Sequence, residues 1–252
     1  MRDKRALSFV NLFGILGAIP KLCELDKEAR GLIAGEKMSI GFSVKGGPVG
    51  TLIFENGKCR MEEGLISPKI KLPFSSPEKF NGMIDGTVTP IPSRGFLHIG
   101  FLLKKFIKLT DILTKYLRAT EEDLKDAEFK RLSTTLMFQV IAGAICNLAN
   151  NDPVSKVSAS YIVDGDILFS VGGGPKAVIR AKDHKLSLAD ATPDGEIMSY
   201  MEFRDMDVAR DLFDGRINSV ASVGFGDVRV GGMISQLDNL NRILDRVSVY
   251  LA

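Results

Sequence analysis

Phe42-Ser43-Val44-Lys45-Gly46-Gly47-Pro48 and Phe169-Ser170-Val171-Gly172-Gly173-Gly174-Pro175 are identical at six of their seven positions. In each, an apolar strand runs into a glycine-rich turn, and matches continue outward in the same order. Asn56-Gly57-Lys58 meets Asp183-His184-Lys185, and Phe74 meets Phe203 after a short insertion. Asp85-Gly86 then meets Asp214-Gly215, and Gly95-Phe96 meets Gly224-Phe225. A further small insertion brings Leu109, Ile112 and Leu113 onto Leu240, Ile243 and Leu244. Order kept while the offset grows is the pattern of a duplicated unit. The expected domains are residues 1–118 and 119–252.

Each copy reads as helix, three strands, helix, one or two strands, helix. The leading helices are expected from Arg5 to about Leu32, broken at Pro20, and from Glu121 to Asn150. Thr120 with Asp123 would cap the second, and Asn150-Asn151-Asp152-Pro153 would stop it. Strands are expected at Phe42–Val44, Thr51–Phe54, about Lys69–Phe74 and Glu196–Phe203. Asn56-Gly57 is a strong hairpin signal, because a type I′ turn needs positive φ at two successive residues. Ser76, Pro77 and Glu78 start a short helix that Gly86 stops, and Asp205 and Gly215 bracket its counterpart. After a strand at Asp227–Gly231, Leu237, Leu240, Leu244, Val247 and Leu251 recur at helical spacing, as do Leu102, Phe106, Leu109, Leu113 and Leu117. Hairpins joining helices predict an α+β class with a mostly antiparallel sheet.

Composition narrows the chemistry. The 252 residues are 45% hydrophobic and 25% charged, with a net charge of +2. That balance excludes a disordered chain and offers no global case for nucleic acid. Two His and three Cys cannot form a His-rich metal cage or a four-Cys zinc site. The charge is uneven, with 19 Lys and Arg against 11 Asp and Glu in residues 1–118, and 14 against 20 in residues 119–252. Halves of opposite sign can face each other, or the basic one can face a membrane. Cys23, Cys59 and Cys146 read as buried thiols of a reducing cytoplasm. The apolar run Ala6–Ile19 reads as a buried or interfacial helix ending near Pro20, with Ser8, Asn11, Gly14 and Gly17 as its small stripe. No segment is expected to reach transmembrane length.

Sharper motifs resolve into turns. Gly172-Gly173-Gly174-Pro175-Lys176 lacks phosphate-loop spacing and precedes a strand. Asp164-Gly165-Asp166 reads as a hairpin turn, not a calcium loop. His184 occupies a turn, and His98 has no partner nearby in sequence. No nucleophile–base–acid set, metal site or cofactor site is expected.

These residues resemble the sterol carrier protein type-two domain, from about Ser39 to Leu117 and more clearly from about Asp166 to Leu251. The Gly-Gly-Pro turn carries the resemblance, with the alternating strand ending Met201-Glu202-Phe203, the short helix ending Asp214-Gly215, and Val228-Arg229-Val230-Gly231-Gly232. The first copy departs at Pro90-Ile91-Pro92 and from Phe96 to Lys108. The resemblance implies a five-stranded sheet in each copy, covered by helices and enclosing an apolar tunnel. It also implies non-enzymatic carriage of a fatty acyl, sterol-like or isoprenoid molecule. Expected lining residues in the second copy are Phe169, Val171, Phe203 and Leu240 with Leu212, Phe213, Phe225 and Met233. In the first they are Phe42, Phe74, Met83 and Phe96. Alternatives are a dimerisation or interaction module with filled cores, or an accessory pair for an enzyme of apolar substrates. Lys104, Lys108 and Lys115 share a helix face with Asp111, with Lys105 at its edge and Leu102, Phe106, Leu109, Leu113 and Tyr116 opposite, and Lys104, Lys105 and Lys108 offer a transient contact with an anionic membrane.

Overall fold

The computed structural model describes residues 2–189, 196–217 and 219–251. The chain divides into two compact units, Met1–Leu124 and Lys125–Ala252.

The first unit opens with α1 (Lys4–Phe9), capped by Asp3, whose carboxylate accepts from Ala6 N at 2.7 Å. The chain stays helical through a π-type turn at Val10–Ile15 and a 3-10 turn at Leu16–Ala18 into α2 (Ile19–Leu25). Pro20 therefore sits in the first turn of α2 and does not end the helix, since a first-turn residue needs no N–H partner. Asp26 breaks the run and caps α3 (Lys27–Ile33). Ser8, Asn11 and Gly14 of the small stripe are buried.

Strands β1 (Lys37–Val44), β2 (Val49–Glu55), β3 (Lys58–Glu63) and β4 (Ile70–Phe74) form a mixed sheet in the order β3-β2-β1-β4. Asn56 and Gly57 have φ of 50° and 80°, as the hairpin signal requires. The link from β3 to β4 crosses over β1, which is why β4 lies parallel to β1. Gly41 permits the crossing, because a Cβ there would sit 2.7 Å from Pro68 and 2.8 Å from Leu65. Buried Thr51 holds the link by donating to Gly64 O at 2.7 Å and accepting from Ile66 N at 3.0 Å.

Next comes α4 (Pro77–Ile84), with Ser76 as cap. The expected fifth strand is absent among the described residues of this unit. In its place a single bridge, Lys71 to Arg94, precedes a 3-10 turn at Phe96–His98. The helix then continues through α5 (Ile99–Phe101), a π-type turn at Leu102–Phe106 and α6 (Ile107–Leu117). The sequence departure at Phe96–Lys108 is thus a helix in place of a strand.

In the second unit, Thr120 and Asp123 do bond reciprocally, but they cap only a 3-10 turn at Asp123–Lys125. The long helix α7 (Ala127–Asn151) begins later, capped by Asp126. Asp152 ends it and caps α8 (Pro153–Ser160). Strands β5 (Gly165–Val171), β6 (Lys176–Lys182), β7 (Lys185–Ala189) and β8 (Ile197–Phe203) repeat the order and sense of the first four strands. Then follow α9 (Met206–Phe213), α10 (Ser219–Gly224), a fifth strand β9 (Val228–Gly232) antiparallel to β8, and α11 (Ile234–Leu251).

The overall class is α+β with two mixed sheets, one of four strands and one of five. Each sheet contains a parallel pair, β1 with β4 and β5 with β8, so hairpins alone do not describe either. Asp164-Gly165-Asp166 is a strand start and not a hairpin turn: Asp166 lies opposite Arg180 and accepts from it at 2.8 and 2.9 Å. The expectation about length also needs correction. Lys4–Leu25 and Ala127–Asn151 are long and apolar enough to cross a membrane, yet 61% and 78% of their apolar windows are buried in the structure.

Candidate functional site

The interior of the second unit is organised by an aromatic series that crosses four elements. Ile167, Phe169 and Val171 alternate along β5 and are fully buried, as the two-residue strand period dictates. Phe138 of α7 stacks on Phe169, with ring centroids 4.8 Å apart and planes 15° apart. Phe169 meets Phe203 of β8 edge-on at 5.3 Å, and Phe203 meets Phe213 of α9 at 5.5 Å. Phe138, Phe169 and Phe203 are buried whereas Phe213 is half-buried. The series therefore runs from the core toward the surface at α9.

Polar groups stand beside this series where α7 meets α9. Arg210 of α9 is buried; it donates to Ser133 Oγ of α7 at 2.6 Å and to Asp214 at 2.8 Å. Thr134 is next to Ser133 in the chain and one turn before Phe138. Its Oγ1 is the single buried side-chain polar atom without a hydrogen-bond partner among the described residues. An unmet buried hydroxyl costs about 1–3 kcal/mol. It can accept or donate one hydrogen bond to a polar group brought in by a ligand.

The expected lining residues divide by depth. Phe169, Val171, Phe203 and Leu240 are buried, and Leu212, Phe213 and Met233 are half-buried. Phe225 is 83% exposed and so belongs to the surface, because α10 ends at Gly224 and the chain turns at Gly226, φ 78°. In the first unit Phe42 and Phe74 are buried and Met83 is half-buried. Phe96 is 61% exposed, since Gly95 at φ 91° starts a turn that carries it outward.

The first interior is packed from other elements. Phe80 of α4 contacts Phe42 and Phe74, while Phe106 contacts Phe42 and Phe101 contacts Phe54. Sequence reasoning missed Phe138, Phe80 and Thr134. The available signal was the four-residue step from Thr134 to Phe138, which places both on one face of α7.

The expected apolar face of the basic helix is buried at Leu102, Phe106, Leu109, Leu113 and Tyr116. Lys104 and Lys108 are exposed, whereas Lys105 pairs with Glu36 at 2.5 Å. Asp183 and His184, with φ of 50° and 60°, form the turn between β6 and β7.

No protein-family model matches the chain, and no curated protein matches it. Solved structures similar to it include UbiJ-SCP2, a ubiquinone synthesis protein, at 16% identity over 44% of this chain and 95% of that one, TM-score 0.35. The sterol carrier protein domain 2 of Helicoverpa armigera aligns at 17% identity over 45% of this chain and 89% of its own, TM-score 0.35. Sterol carrier protein 2 of Yarrowia lipolytica, in its apo form, aligns at 18% identity over 44% and 91%, TM-score 0.33.

Proposed function

We propose that the second unit binds an apolar, lipid-like molecule in a tunnel among α7, α9, α11 and the sheet, and carries it without chemical change. The observation that carries this reading is the buried, unpartnered Thr134 hydroxyl beside an aromatic series that reaches the surface at Phe213. The aromatic and aliphatic walls take a fatty acyl, sterol-like or isoprenoid body, and Thr134 takes one polar atom of it. Burial contributes about 0.8 kcal/mol per methylene, so ten methylenes contribute about 8 kcal/mol before the cost of association. No catalytic group is needed for such carriage. The two units are read as unlike copies of one ancestral unit, the first having filled its interior with Phe80, Phe101 and Phe106.

Native mass spectrometry of gently purified full chain tests the reading. A co-purified lipid mass, with uptake of a fluorescent fatty acyl probe lost in Phe213→Glu, is the expected result. Absence of both lipid and uptake overturns it. Turnover of the probe overturns the non-enzymatic part.

A second reading, a homodimerisation module, is favoured by Val154 and Val157 of α8 and by Tyr161 at its C-cap, which lie exposed. Sedimentation equilibrium separates it from the first, since Val157→Glu would then dissociate a dimer.

A further inference from the structure

The first unit presents an apolar surface that its own core does not use. Phe96, Ile99, Leu103 and Ile107 follow one another at spacings of three and four and are exposed, and Leu97 beside them is 98% exposed. The opposite side of the same helical run buries Phe101, Leu102 and Phe106. The run is thus apolar on both faces over its first three turns. Its start is tied to the sheet. Ser93 N donates to Lys71 O at 2.8 Å and Lys71 N to Arg94 O at 3.1 Å. A Cβ at Gly95 would lie 2.2 Å from Lys69 O, so the turn presses directly on the start of β4.

The charge around this surface is mostly basic, with Asp85 and Asp111 at its ends and Glu36 against Lys105. Residues 86–110 contain Arg94, Lys104, Lys105 and Lys108 and no acidic residue. Lys105 is held by Glu36, but Lys104 and Lys108 flank the exposed apolar row and make no ion pair among the described residues. A second copy of the same face would bring like charges together, so the surface opposes its own pairing. We infer that the helix from Phe96 to Lys108 docks on an anionic lipid bilayer, with Phe96, Leu97, Leu103 and Ile107 entering the interface and Lys104 and Lys108 meeting lipid phosphates. Apolar side chains enter the acyl boundary while adjacent cations gain from the negative surface potential. This inference stands apart from what the second unit holds.

Co-sedimentation of the full chain with vesicles tests it, using phosphatidylcholine alone and phosphatidylcholine mixed with phosphatidylglycerol. Binding to the mixed vesicles, weakened by added salt, is the expected result. Each lysine contributes about 1 kcal/mol at such a surface, so Lys104→Gln with Lys108→Gln should lower the partition roughly 30-fold. Leu97→Glu with Leu103→Glu should abolish binding while thermal unfolding and acyl-probe uptake stay at the parent values, because both side chains are exposed. No binding to mixed vesicles at low salt overturns the inference. So does unchanged binding in the Leu97→Glu, Leu103→Glu variant, or a dimer that this variant dissociates.

Discussion

The thiols of Cys23 on α2 and Cys59 on β3 act on each other across 36 positions of the chain. That mutual interaction holds the Cys23 thiol below the ordinary range and, with burial, pushes Cys59 well above it. Cys146 lies alone in the core of the second unit, and burial raises it to about 12. Mild oxidation with diamide should therefore form a Cys23–Cys59 disulfide, the two thiol protons and two electrons passing to the oxidant. Peptide mass mapping checks this, and modification of Cys146 ahead of the pair would contradict it.

Asp152 is the junction of α7, α8 and α11. Its carboxylate accepts from Tyr250 Oη at 2.7 Å, from Ser155 N and Oγ at 2.9 Å, and from Arg246 Nη2 at 3.2 Å. Burial by itself would raise its pKa, but these donors outweigh burial and hold it below the usual carboxylate value. The ionised form is therefore stabilised by folding. Its contribution is complete above a pH of about 4 and is lost as the pH falls below that value. Asp152→Asn should cost about 3 kcal/mol near neutrality and flatten the acid limb of a pH–stability curve. An unchanged acid limb would remove Asp152 as its source.

The glycine turn between β5 and β6 yields a contrast between neighbours. A Cβ on Gly172 would sit 2.2 Å from Arg204 O, a backbone atom that cannot swing aside. Gly173 has φ 68° with open space around it, which asparagine tolerates. Urea unfolding should show Gly172→Ala losing about 2 kcal/mol or more and Gly173→Asn less than about 1 kcal/mol. The reverse order would refute the steric account.

Ser133 and Thr134 should respond in opposite directions. Thr134→Val removes an unmet buried hydroxyl at nearly constant shape and should leave stability equal or raise it by about 1 kcal/mol. Ser133→Ala removes the acceptor for the buried Arg210 guanidinium and should lower it by about 1–3 kcal/mol. Calorimetric unfolding of the two variants decides the matter. A destabilised Thr134→Val would mean that its hydroxyl has a partner.

Much of the local architecture is legible without coordinates. Ser76 and Asp205 cap their helices, Gly86 and Gly215 end them, and Asn56-Gly57 turns a hairpin, because each signal acts within four residues. The buried faces at Leu109 and Leu240 follow from helical period in the same way. The candidate site was legible only in outline. Phe169 and Phe203 stand out on strands, but Phe138 comes from a helix buried on almost every side, where period carries little information. Phe96 and Phe225 read as core by hydrophobicity, and backbone turns at Gly95 and Gly226 put them outside.

The sequence by itself determined the caps, the turns, the α+β class and the uneven charge, all set by side chains acting on their own backbone or by summed composition. Tertiary structure decided that β4 and β8 lie parallel to β1 and β5, and that the first sheet stops at four strands. It also decided that Cys23 meets Cys59 and that Asp152 meets Arg246, 94 residues on. The physical reason is loop closure. Whether distant residues meet depends on how the intervening chain packs, and no short stretch of sequence records that.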